Sequence, residues 1–193
     1  MMFNFSRYAL LSTVLASLVL TACQPRIKPQ IPTTPVIENS QNFSLQGKLG
    51  IRTPTQSGSA FYTWVQHNDQ FEIELSGILG VGKTQIWGQK YGQASLNSSR
   101  TGEIVAQSPE QLLKRATGWD APITYLMDWI QAKAATSTAQ LNQDEQGRVS
   151  QIIEGGWTVD LSYNQSTLPN RLILKQMLEN GQENRITMLI QDR

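Results

Sequence analysis

Cysteine occurs once in this chain, at Cys23, and histidine once, at His67. The first scarcity excludes an internal disulfide and leaves no thiol for nucleophilic work in the body of the protein. A lone His without Cys does not make an ordinary zinc site either. Charge is scarce in net terms: Lys and Arg number 16 against 15 Asp and Glu. Arg7 is the one charged residue before Cys23, so the balance from there on is zero, and nothing basic enough to hold nucleic acid remains. The apolar run from Tyr8 to Leu20 is too short to span a bilayer comfortably and has the length of a signal-peptide core, about 7–15 residues.

What the start of the chain does have is Arg7, that apolar run, and then Leu20-Thr21-Ala22-Cys23. Residues 1–22 read as an export signal, and "LTAC" resembles the lipobox of bacterial lipoproteins. The resemblance implies a diacylglycerol on the Cys23 thiol, cleavage just before it, and an acyl chain on the new amino group. No other cofactor is expected. The alternative is a leftover thiol in an ordinary secretory signal, but the one Cys stands where a lipobox needs it. At roughly 0.8 kcal/mol per buried methylene, one chain binds a membrane marginally and two or more hold it firmly. Gln24, where an Asp would mark inner-membrane retention, resembles an outer-membrane address. Residues 23–41 then form a lipidated Cys and a tether in which Pro25, Pro29, Pro32 and Pro35 favour an extended, solvated chain.

Residues 42–193 have the size of one domain. Alternating apolar and polar residues dominate its first part, in Phe43 to Leu49, Ser59 to His67 and Phe71 to Leu75, as half-buried strands require. Thr84 to Lys90 and Gln93 to Asn97 continue the pattern. The period then changes. Ser108-Pro109-Glu110-Gln111 is a helix start, Leu112, Leu113 and Ala116 follow, and Gly118 ends it. A second helix from Pro122 places Ile123, Leu126, Met127 and Ile130 on one stripe, with Trp129 at its border. Strands resume at Thr138 to Gln143, Val149 to Glu154, Trp157 to Tyr163, Leu172 to Met177 and Arg185 to Ile190, with turns at Gly155-Gly156 and Asn180-Gly181. The expected fold is mainly β: about eleven antiparallel strands in a meander that curls around two short helices.

Gly77 to Thr84, "GILGVGKT", matches the phosphate-binding pattern G-x-x-x-x-G-K-[ST]. That loop functions only between a strand and a helix, because the phosphates rest on the first amides of the helix. Here strands flank it on both sides, so no nucleotide is expected. His67 at a predicted turn is better placed as a surface residue than as a catalytic base. Glu72 and Glu74 are the solvated side of their strand. No credible catalytic set and no metal site emerge.

Apolar bulk exceeds obvious need. Trp64, Trp87, Trp119, Trp129 and Trp157 with Met127, Met177 and Met188 furnish either an ordinary core or the lining of a cavity for lipid chains. Trp64, Leu126, Trp129 and Trp157 are the cavity candidates. Ile78, Leu79 and Val81, hinged by glycines in a hairpin tip, are candidates for contact with a membrane.

The lipobox, "FSLQGKLGIR", "FYTWVQ", "ELSGILGVGKTQI", "SPEQLLKRATGWDAPITYLMDWI" and "LPNRLILKQ" occur in an order that resembles the LolB family of outer-membrane lipoprotein receptors. The resemblance implies an unclosed antiparallel β-barrel whose helices cover an apolar cavity for acyl chains. It implies a LolA-like periplasmic carrier and triacylated lipoprotein cargo as partners, outer-membrane phospholipid as the destination, a monomer, and no enzymatic activity. It places on Leu79 an exposed loop leucine that serves insertion of cargo; Ile78 stands where relatives often have Pro. The runner-up readings are a lipid-anchored structural or assembly lipoprotein that binds protein partners and, behind it, an anchored hydrolase using His67.

Overall fold

The computed structural model describes residues 42–77, 82–118 and 120–193. Six strands come first: β1 (Asn42–Arg52), β2 (Ser57–His67), β3 (Gln70–Ser76), β4 (Lys83–Gln89), β5 (Ala94–Ser98) and β6 (Gly102–Ala106). Helices α1 (Pro109–Thr117) and α2 (Ile123–Trp129) follow. The chain then returns to strands β7 (Gln140–Gln143), β8 (Val149–Glu154), β9 (Trp157–Ser162), β10 (Arg171–Met177) and β11 (Glu183–Asp192).

All eleven strands join one antiparallel sheet in the order β6-β5-β4-β3-β2-β1-β11-β10-β9-β8-β7. The first strand therefore lies at the centre, zipped to the last. β6 and β7 form the two edges and do not pair, so the sheet curls without closing. The chain between them leaves the sheet and supplies both helices.

Period-two burial sets the curl. Along β2 the inward residues Ala60, Tyr62, Trp64 and Gln66 are buried while Phe61, Thr63 and Val65 face out. β3 buries Phe71, Ile73 and Leu75; β9 buries Trp157, Val159 and Leu161. One face of the whole sheet is thus apolar, and the helices lie against that face. Glu72 and Glu74 are on the other, where Glu74 meets Lys83 at 2.5 Å.

The helices form for local reasons as well. Ser108 caps α1: its Oγ accepts the Gln111 N–H at 3.2 Å, Pro109 opens the first turn, and Gly118 closes the last at φ 83°, donating to the Lys114 carbonyl. Leu112 is completely buried, worth roughly 1.5–3 kcal/mol. In α2, Ile123, Leu126, Met127 and Trp129 are buried together, and Ile130 is the buried cap residue just past the helix. No helix among the described residues is long and apolar enough to cross a membrane.

Where β1 meets β11 the register shifts between Gln46 and Gly47. The two backbones come so close there that a Cβ on Gly47 would lie 1.9 Å from the Leu189 carbonyl oxygen. That same oxygen accepts a hydrogen bond from the Tyr62 phenol at 3.2 Å. Burial, partly offset by the charge of Arg193, pushes this phenol well above its ordinary pKa. Only three residues away, a Cβ on Gly50 would find its nearest neighbour at 3.9 Å. Gly47→Ala is therefore expected to destabilise the domain by about 1–3 kcal/mol, whereas Gly50→Ala is neutral or up to about 1 kcal/mol stabilising. Urea unfolding of the two variants beside the parent checks the contrast.

Candidate functional site

The helices do not fill the concave face. A cavity of 310 Å³ lies toward the end of the barrel that holds the β1–β2 and β5–β6 turns, with a second lobe of 120 Å³ deeper in. Leu49, Ile51, Leu75, Ile86, Leu113 and Thr117 line both, so the two lobes are one continuous space. Leu49 and Ile51 from β1 and Leu113 from α1 are only half-buried, because they face this space rather than protein. Leu96 and Ala116 complete the outer lobe, and residues of the β1–β2 turn (Gln56, Ser57) and the β5–β6 turn (Ser98, Ser99, Arg100, Thr101) form its rim. The inner lobe is walled by Tyr62, Trp64, Ile73, Ile123, Leu126, Ile186 and Met188 and presents apolar atoms alone.

Of the four cavity residues expected from sequence, Trp64 and Leu126 line the inner lobe. Trp64 turns its polar end away, donating from Nε1 to Gln66 Oε1 at 3.2 Å, and sets its ring edge-on to Phe43. Trp129 and Trp157 line neither lobe. Both are buried in the core away from the lobes; Trp129 donates to Glu154 at the end of β8 and meets Tyr125 edge-on at 5.6 Å. Ile78, Leu79, Val81 and Cys23 lie outside the described residues. Sequence reasoning missed Leu49, Ile51 and Leu113. The available signal was Leu113 beside Leu112, an apolar stripe wider than one helix needs to reach a core.

The phosphate-loop look-alike is settled by its neighbours: Lys83 and Thr84 are strand residues, paired with Ser76 and Leu75 of β3, and no helix follows. His67 is exposed at the end of β2, opposite Asn42 and Gln70, with no part in the cavity.

Eleven antiparallel strands left open round an apolar chamber define a half-barrel for hydrophobic ligands, built on the same plan as barrels that hold lipids in their mouths. Sequence comparison then narrows the class. The family model described as "Outer membrane lipoprotein LolB" matches residues 41–192. A protein of Stutzerimonas stutzeri strain A1501 named outer-membrane lipoprotein LolB is 36% identical over 155 residues, 78% of this chain and 72% of its own length. Proteins of the same name from Ectopseudomonas mendocina strain ymp (34% over 161 residues, 81% of this chain and 76% of the relative) and Pseudomonas aeruginosa strain LESB58 (34% over 155 residues, 78% and 73%) are similar. The chain belongs to the LolB family of outer-membrane lipoproteins.

Polar contacts fix α2 as the inner wall. Lys90 Nζ meets Asp128 at 2.7 Å, the Thr124 N–H donates to Glu110 at 3.0 Å, and the Arg193 guanidinium donates to the Ile130 carbonyl at 2.7 Å. Burial alone would lower the Lys90 pKa, but the hydrogen bond and charge of Asp128 outweigh it and hold it above its usual value. The deepest contact is Glu154, 4% exposed, which accepts from Trp129 Nε1 at 2.7 Å, from the Ala135 N–H at 3.0 Å and from the Thr136 N–H. Burial would raise its pKa, yet these donors together hold the carboxyl below its ordinary value. A carboxylate whose folded pKa is depressed stabilises above the unfolded value, about 4.3 for Glu, and loses that contribution as pH falls through the folded pKa. Glu154→Gln turns an acceptor into a donor facing N–H groups, so unfolding at pH 7 should show a loss of about 1.5–3 kcal/mol. The gap from the parent should shrink as the buffer is taken below pH 4; a gap independent of pH would contradict the ionic role.

Proposed function

We propose that this domain receives the acyl chains of lipoproteins in the two-lobed cavity and delivers the lipoproteins to the outer membrane. The observation that carries the reading is a continuous apolar space, open at one end of the barrel, in a chain of the LolB family. The cargo is triacylated lipoprotein handed over by a soluble periplasmic carrier of the LolA kind, and the receiving medium is outer-membrane phospholipid. Each transfer is favoured when the same methylenes become better shielded from water, so no nucleotide and no catalytic group is required. The protein acts as a monomer, held at the membrane by the acyl groups on Cys23.

Placement of the hairpin supports this route. Leu75 and Thr84, on the two strands that flank the loop bearing Ile78, Leu79 and Val81, both line the outer lobe. Gly82, where the loop rejoins described structure, lies against Ser99, so close that a Cβ there would be 2.5 Å from its Oγ. The described residues on either side of the loop thus lie at the cavity mouth, and in this reading Leu79 meets the bilayer as cargo leaves. The chain enters the domain at Asn42, at the other end of β1 from the mouth, a distance of about 35 Å at the usual strand rise. Residues 24–41 at polyproline rise would reach roughly 55 Å. The tether is long enough for the mouth to touch the membrane that holds the anchor.

Two substitutions separate reception from delivery. Leu113→Trp narrows the neck shared by the lobes and should weaken binding of a fluorescent fatty acid by roughly tenfold, about 1.4 kcal/mol, while leaving the melting temperature unchanged or raised, since it fills empty apolar volume. Leu79→Glu should leave that binding intact and abolish incorporation of cargo into liposomes in a reconstituted transfer assay. Unaltered incorporation by the second variant would count against the loop's role.

A further inference from the structure

Tails occupy the two-lobed cavity in the reading above, on which this inference rests; what the rim does with the other end of the lipid follows from its donors. Among the described residues lining either lobe, Arg100 is the one that carries a charge. It sits in the β5–β6 turn, and none of the ion pairs among the described residues uses it. The turn itself is pinned: Ser98 Oγ accepts the Thr101 N–H at 3.1 Å and lies 2.8 Å from the Thr101 hydroxyl. The backbone of Arg100 is thus held at the mouth, and its side chain is exposed there. Opposite, Gln56 Nε2 donates to the Thr117 carbonyl at 3.4 Å and ties the β1–β2 turn to the end of α1. Inside the rim Thr84 lines the same space.

We propose that Arg100 forms a subsite for the ester-bearing glyceryl end of a diacyl lipid. The argument is one of matching polarity at a given depth. Hydrocarbon tails run from the outer lobe into the inner lobe, which has no polar atom to offer. The first polar atoms above two tails are ester carbonyls, which accept hydrogen bonds and donate none. Drawn into a cavity mouth without donors, they lose their water uncompensated. A guanidinium offers five N–H donors and accepts nothing, and its aliphatic stem lies comfortably on an apolar wall. Such an arrangement also sets register, since ester oxygens held at the rim fix how deep the tails go.

Two sources present this chemistry, the diacylglyceryl cysteine of a lipoprotein and a bilayer phospholipid, and binding measurements distinguish them. Residues 23–193 with Cys23→Ala, free of their own acyl chains, are titrated in one arm with a diacylglyceryl-cysteine peptide and its ether-linked analogue, which lacks the ester carbonyls. The other arm uses diester and diether phosphatidylethanolamine of the same chain length. The parent should prefer ester over ether by roughly five- to tenfold, and Arg100→Met, which keeps the stem, should reduce that preference to below twofold while leaving affinity for the ether lipid unchanged. Loss of preference in the peptide arm assigns the subsite to cargo, and in the phospholipid arm to the bilayer. Equal loss of ester and ether binding, or a parent that does not discriminate in either arm, overturns the subsite and leaves the acyl cavity standing. Failure of the parent to bind any of these lipids or a fatty acid would overturn the cavity reading itself.

Discussion

The Glu154 carboxylate, enclosed by the indole N–H of Trp129 and the backbone N–H groups of Ala135 and Thr136, decides how far the curled sheet can fill itself. An ionised acid inside a barrel is tolerable only when its lone pairs are met, and here they are met by the end of α2 and the segment leaving it. The contact therefore ties the second helix to β8, and Asp128 with Lys90 ties the same helix to the far end of β4. Held from two sides, α2 cannot slide along the sheet. One half of the concave face is permanently occupied, and the other is left to α1, which reaches it with a short apolar stripe.

The space that results is costly to keep. Unfilled apolar volume destabilises by about 24 cal/mol per Å³, so the inner lobe alone implies a penalty on the order of 3 kcal/mol. A few larger side chains at Leu49, Ile51 or Leu113 would remove it. Their modest size leaves room that only an apolar visitor fills, and any such visitor adds to the stability of the folded form in proportion to its concentration. Shape and energetics thus agree that the domain is built to be completed by something other than itself.

Much of this was readable from residue order. Alternation in Phe71-Glu72-Ile73-Glu74-Leu75 or Trp157 to Ser162 leaves few alternatives to a half-buried strand. Ser108-Pro109 and Gly118 mark both ends of α1, and Asn180-Gly181 lies in the β10–β11 turn, where Gly181 has a positive φ of 78°. The strand pattern after the phosphate-loop look-alike is likewise present, with Lys83 and Thr84 in β4. What resisted was the difference between a packed apolar face and a vacant one. Trp64 and Trp157 alternate identically in their strands, yet one borders the cavity and the other does not, because the position of α2 across the sheet is a tertiary fact with no local code. The helix stripe likewise ran to Ile130, which the structure makes the cap beyond Trp129. Glu154 did leave a trace: in Ile152-Ile153-Glu154, period two puts the acid on the same side as a buried isoleucine, a break that signals an inward charge. The bulge at Gly47 left none beyond the glycine itself.

An opened barrel has another exposure besides its mouth, namely two rows of unmatched peptide groups where β6 and β7 fail to meet. Such rows invite the strands of neighbouring molecules. On one side Arg115 reaches back from α1 and donates to the Val105 carbonyl at 2.9 Å, occupying an acceptor that a foreign strand would want. On the other, β7 has only four residues and its register slips between Asn142 and Gln143, too short and irregular a template to extend. Both borders of the gap are in this way poor templates for a neighbouring strand, a feature that matters most for a protein concentrated on a two-dimensional surface.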